Sequence, residues 1–151
     1  MVDGLGWPTD TVADKNKHCV YISDRYGMKT LQQDKPGIFI LMESGKYSCH
    51  PLSAQPAGLS ITQDGLLLVV CEHEEKKGRS LRFFRSDQSS DDSAKLEEVV
   101  ERRIDLSIQI DRYLLQAVAL NSERFVISQV HKKKDTHCIV VADNNGNQVS
   151  L

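Results

Sequence analysis

The chain has no apolar run approaching the roughly 20 residues that a membrane-spanning helix needs. Its first residues, Met1-Val2-Asp3-Gly4-Leu5-Gly6, offer neither a basic lead nor an apolar segment, which excludes a secretory signal at this point. Cysteine is sparse, at four residues, and none stands in Cys-x-x-Cys spacing, so neither a zinc finger nor a dense disulfide framework is encoded. Reduced thiols and an intracellular, cytoplasmic setting are the plainer expectation. A strong charge is also missing. The formal net charge of −2 gives no overall pull toward nucleic acid or acidic membranes, so an electrostatic partner must be recognised by a local patch. Gly-x-Ser-x-Gly, His-Glu-x-x-His and phosphate-cradling glycine loops are absent as well, and the sequence therefore predicts a protein that is not an enzyme and carries no cofactor.

What is present is globular composition, 40% hydrophobic and 26% charged over 151 residues, which is the size of one ordinary domain. The pattern is clearest at Pro56–Cys71. Leu59 and Ile61 alternate with Ser60 and Thr62, Asp64-Gly65 supplies a tight turn, and Leu66–Cys71 returns as an unbroken apolar run. A strand that is apolar on both faces has no solvent side. It belongs inside a structure that covers it above and below.

Weaker copies flank this hairpin. The first unit reads as strands at Trp7–Ala13, Cys19–Asp24, Gly37–Met42 and Lys46–Cys49. In the second, Ser80–Arg85 follows the hairpin, Ser86–Ser93 reads as a polar loop, and the fourth element is contested. Leu96, Val99, Val100 and Ile104 have helical spacing, whereas Ile104, Leu106, Ile108 and Ile110 alternate as in a strand; a strand ending near Leu106 is the favoured reading. The third unit reads as strands at Leu115–Leu120, Phe125–Gln129 and His137–Ala142, with a last piece at Gln148–Leu151. Laid on the second unit, Leu59 matches Val118, Asp64 matches Glu123 and Leu68 matches Ile127. Units spanning 7–52, 56–106 and 115–151 recur at roughly fifty to sixty residues, and four strands per unit at that period point to propeller blades.

Pro56-x-Gly58-Leu59-Ser60-Ile61-x-x-Asp64-Gly65-x-Leu67-Leu68-Val69, preceded by Val20-Tyr21-Ile22-Ser23-Asp24, resembles the NHL-type repeat of six-bladed β-propellers. The resemblance implies an all-β segment of about three four-stranded antiparallel blades, an incomplete ring, since propellers close with about 4–8 blades. Such a chain is expected to be a fragment of a longer protein, or half of a homodimer in which two copies complete the ring.

Blades are scaffold, so function is sought in loops. Those joining second to third strands share a charge: Arg25 and Lys29 in the first unit, Lys76, Lys77 and Arg79 in the second, Lys132, Lys133 and Lys134 in the third. On a common rim they would form a basic patch, with Tyr26 as an aromatic neighbour. The expected partner is a protein; RNA is the second candidate, because some proteins resembling NHL modules bind RNA on such a face, and no membrane partner is expected. Two further readings rank lower. His18-Cys19, Cys49-His50, Cys71 with His73 and His137-Cys138 lack chelating spacing for a metal. Resemblance to propeller lactonases nominates Asp24, Glu72 and Asn121 or Asp143 as calcium ligands for a hydrolase.

Overall fold

A computed structural model describes residues 5–26, 35–73, 78–88, 94–107, 112–131 and 133–149. The protein is all-β, with three four-stranded antiparallel sheets in simple up-and-down order. The first holds β1 (Pro8–Asp14), β2 (Cys19–Asp24), β3 (Gly37–Met42) and β4 (Tyr47–Pro51). The second holds β5 (Gln55–Ile61), β6 (Leu67–Glu72), β7 (Arg79–Gln88) and β8 (Ala94–Glu98), with β9 (Ile104–Leu106) also on β7. The third holds β10 (Arg112–Ala119), β11 (Arg124–His131), β12 (His137–Asp143) and β13 (Gln148–Val149).

Each inner hairpin is turned by different chemistry at the same place. Between β1 and β2, Asp14 Oδ1 accepts the backbone N–H groups of Asn16 and Lys17, and His18 takes a positive φ of 49°. Between β5 and β6, Gly65 supplies φ of 79°, while Thr62 Oγ1 accepts the Leu66 N–H at 2.9 Å and bonds Asp64 Oδ1 at 2.6 Å. Between β10 and β11 no Asp-Gly pair exists, and Asn121 Oδ1 instead accepts the N–H groups of Glu123 and Arg124, both at 2.9 Å. The side-chain amide thereby organises the turn as an Asx motif.

The pairings correct the alignment of the second and third units. Leu59 pairs Val69 as Ala117 pairs Ile127, so Leu59 corresponds to Ala117 and Leu68 to Val126. Matching Leu68 to Ile127 slips by one residue, which in a strand exchanges the two faces. The contested fourth element of the second unit contains both patterns. β8 and β9 pair consecutive stretches of β7 and are separated by a 3-10 turn at Val100–Arg102, so the outer strand is interrupted rather than replaced by a helix. Arg102 from that turn pairs with Asp64 and lies over the Phe83 ring, 4.8 Å from its centroid. Ser86 to Gln88, expected in a loop, extend β7. Ile108 and Ile110 lie outside the described residues.

The second sheet is sandwiched. Leu67, Val69, Cys71 and Phe84 pack with Tyr21, Ile38 and Ile40 of the first sheet, while Leu68, Val70, Leu81 and Phe83 pack with Leu114, Phe125 and Ile127 of the third. Leu68, Val69, Val70 and Cys71 are each 0% exposed, which accounts for the unbroken apolar run. His50 packs edge-on against Phe84, 5.5 Å between ring centres, and burial holds its imidazole below the ordinary value of 6.5. The unfolded chain therefore takes up this proton first as pH falls. Stability that is present above pH 6.5 is expected to be lost as pH drops through the lowered folded value. Urea melts across that window should show a shallower decline for His50→Gln.

The three inner strands β1, β5 and β10 converge. All carry an irregularity near their first residues, between Pro8 and Asp10, Pro56 and Leu59, and Leu114 and Gln116. Such bulges leave backbone groups without ladder partners. Here side chains bridge the sheets: Asp10 Oδ2 accepts the Leu59 N–H at 2.8 Å and the Gln116 Nε2 amide at 2.7 Å, and Gln116 also donates to Leu59 O. Ser23 Oγ donates to Ala57 O at 3.0 Å, and Ser60 Oγ to Ala117 O at 2.7 Å.

Candidate functional site

Where the first and second sheets meet, Lys35 and Pro36 ahead of β3, the β4–β5 connection, and His73 and Gly78 between β6 and β7 lie around one cleft. Glu72 ends β6 and Arg79 starts β7, directly opposite it in the ladder. The Glu72 carboxylate takes Arg79 Nε at 3.3 Å on one oxygen and Arg25 Nη2, from the first sheet, at 2.7 Å on the other. Arg25 Nε further donates to Gln55 Oε1 at 2.8 Å, so one acidic side chain ties both sheets together.

The cleft, of about 940 Å³, opens beside this cluster. Its ionic lining is Lys35, Arg79, Arg82 and Arg103 against Glu72 and Asp105, with His73 and the Pro51–Gln55 connection completing the walls. Four cations against two carboxylates leave it positive. Arg82 is the unusual member, because its position on β7 shares the inward face with Phe84 and it is only 4% exposed. Its Nη1 lies 3.3 Å from Ser53 Oγ and 3.6 Å from a Glu98 oxygen, and its buried Nε has no hydrogen-bond partner. A buried guanidinium N–H without an acceptor is costly, so Arg82 is held at an energetic penalty while it lines the cleft. Arg103 is held by Asp105 at 3.0 Å. Behind the cleft, burial pushes the Cys71 thiol up to about 12, so it stays protonated and is not a nucleophile.

Next to Arg25 in sequence, Asp24 organises an exposed aromatic corner. Its carboxylate accepts the backbone N–H groups of Gly6, Trp7 and Tyr26 at 2.7, 2.9 and 3.1 Å. The Trp7 and Tyr26 rings meet edge to face at 6.2 Å, yet remain 61% and 57% exposed.

Of the basic loop residues singled out from sequence, Arg25 and Arg79 are brought together, but on a carboxylate, and Arg79 is buried. Lys133 and Lys134 stand exposed on the β11–β12 connection, and neither lines the cleft. Lys29, Lys76, Lys77 and Lys132 lie outside the described residues. The nominated calcium ligands are spread over separate tasks: Asp24 and Glu72 as above, Asn121 in its turn, and Asp143 accepting the N–H groups of Asn145 and Asn147 in the β12–β13 turn. Among the described residues, no three His, Cys, Asp or Glu side chains gather as a metal would require. The four cysteines are unbridged.

Sequence reasoning missed Arg82. A lone arginine at an inward-facing position of Ser80-Leu81-Arg82-Phe83-Phe84 was the available signal. No protein-family model matches the chain, and no curated protein matches it.

Proposed function

We propose that the chain is a non-enzymatic interaction module that binds a carboxylate-bearing segment of a protein partner in the cleft between the first and second sheets. The observation that carries this reading is the cleft lining itself, where Lys35, Arg79, Arg82 and Arg103 outnumber Glu72 and Asp105. The Trp7–Tyr26 corner supports it, because exposed aromatic residues beside arginine are the side chains that anchor protein interfaces. RNA binding through the basic loops is the competing reading; two of their cations, Arg25 and Arg79, already face Glu72.

The test is a titration of the full chain with a fluorescein-labelled glutamate-rich decapeptide and, separately, with single-stranded RNA of similar length. Trp7 is the sole tryptophan and gives an internal emission readout. The peptide should bind, and Arg82→Met should weaken it by about tenfold or more, the loss of one charge-assisted hydrogen bond of ~1.5–3 kcal/mol. Absence of peptide binding overturns the reading. RNA binding that falls steeply with salt and disappears when Lys132, Lys133 and Lys134 are replaced by alanine would put RNA in its place.

A further inference from the structure

Among the described residues, the end sheets of the stack each keep one face that no other sheet covers. On the third sheet, the face away from the second carries Val118, Val126 and Ile139, with Leu120 beside them at the strand end. Val118, Leu120 and Ile139 are 47%, 49% and 69% exposed. On the first sheet, the corresponding outer face carries Ala13, Val20, Leu41 and Tyr47 in one cross-strand row and Ile22 and Phe39 in the next; Val20, Ile22 and Leu41 are half-buried and Phe39 is buried beneath Tyr47. Tyr47 is 56% exposed and stacks on Phe39 at 5.2 Å. Tyr47 on one face and Val118, Leu120 and Ile139 on the other are thus large apolar side chains left open to solvent.

The occupant follows from the interfaces already formed. Each sheet presents one face to the sheet before it and the other to the sheet after it. The second sheet meets the first with Leu67 and Val69 and the third with Leu68 and Val70. Val126 of the third sheet stands where Leu68 stands in the second, and its face lacks only a following sheet. The outer face of the first sheet lacks only a preceding one. The two open faces are therefore of complementary, not identical, kind, and the repeated geometry that joins the three sheets would join them too. The inner strands converge on Asp10, Leu59 and Gln116, so the stack fans about a common line instead of running straight. Two fans of three sheets give six, within the 4–8 sheets of closed propellers.

We propose that a second copy of this chain is the occupant: the third sheet of each copy packs on the first sheet of the other, closing a two-copy ring through two equivalent head-to-tail contacts.

The experiment is light scattering of the full chain after size-exclusion, with Ile139→Glu and Tyr47→Glu as variants. Twice the chain mass is expected for the unaltered protein. Each variant should run at the monomer mass while keeping a strand spectrum in circular dichroism and a cooperative melt. Mixing the two variants should restore a dimer population, because one of the two contacts is then built from unaltered faces. Should Ile139→Glu lose its strand spectrum, Val118→Lys reads the same face. A monomeric unaltered chain overturns the proposal, as does a mass that grows beyond two copies. A dimer that survives Tyr47→Glu also overturns it, since that would mean like faces pair.

Discussion

Gly58→Ala should unfold the protein in markedly less urea, at a cost of about 3 kcal/mol or more, the upper part of the range for overpacking a close contact. A methyl group there would run into the backbone carbonyl of Leu115 and come within 2.5 Å of Gln116 Oε1 and 2.8 Å of Gln116 Cα. Two of those three atoms are backbone, so β10 itself would have to back away from β5. That movement would stretch the bonds from Gln116 to Leu59 and Asp10 and from Ser60 to Ala117. For a chain of this size the midpoint of a thermal melt should fall by roughly 6–12 °C. Gly45→Ala is the matched control. Gly45 has φ of 82° and nothing within 4 Å, so only backbone strain is added, about 1 kcal/mol. Equal effects from the two substitutions would refute the close-approach account of Gly58.

Glu72→Ala is expected to cost about 3 kcal/mol in the same measurement. Removing one member of a buried ion cluster leaves the others desolvated, and Arg79 and Glu72 side chains are only 8% and 14% exposed. The figure is taken from the low end of that range because Arg25 is 28% exposed and water takes up part of its charge. Replacing Arg79 by Met in the Glu72→Ala background should recover part of the loss, as apolar packing relieves one stranded guanidinium. If Glu72→Ala leaves the urea midpoint unmoved, the carboxylate is not what joins the first two sheets.

Strands were the most legible part of the sequence. The all-apolar Leu66–Cys71 run follows directly from two covered faces, whereas the alternation at Leu59–Thr62 does not mark a solvent face, since Ser60 and Thr62 are buried as well and Ser60 bonds Ala117 O; both strands nonetheless stand where the pattern put them. Turn chemistry was legible where glycine supplied it, and misleading where it did not. Asp64 and Glu123 look equivalent as acidic turn residues, yet the third turn is organised by Asn121, and the difference moved the alignment by one residue. The helical spacing of Leu96, Val99, Val100 and Ile104 marks only one 3-10 turn at Val100–Arg102, with Leu96 and Ile104 on the strands to either side; Arg102 in that turn reaches both Asp64 and Phe83, which no strand-only reading of the segment anticipates. The cleft was not legible. Its walls come from Lys35, the Pro51–Gln55 connection, β7 and Arg103, segments that meet only through packing of one sheet on another.

The sandwiched second sheet also sets an order of events during synthesis. The first sheet leaves the ribosome ahead of it and can cover Leu67, Val69 and Cys71 as soon as they emerge. Leu68, Val70 and Phe83 must wait for β10 and β11, and the whole third sheet, Arg112 to Val149, takes roughly two to eight seconds to translate at 5–20 residues per second. For that interval the nascent chain displays Leu68, Val70, Leu81 and Phe83, all fully buried once the third sheet is in place, and a chaperone that holds extended apolar segments has its window there.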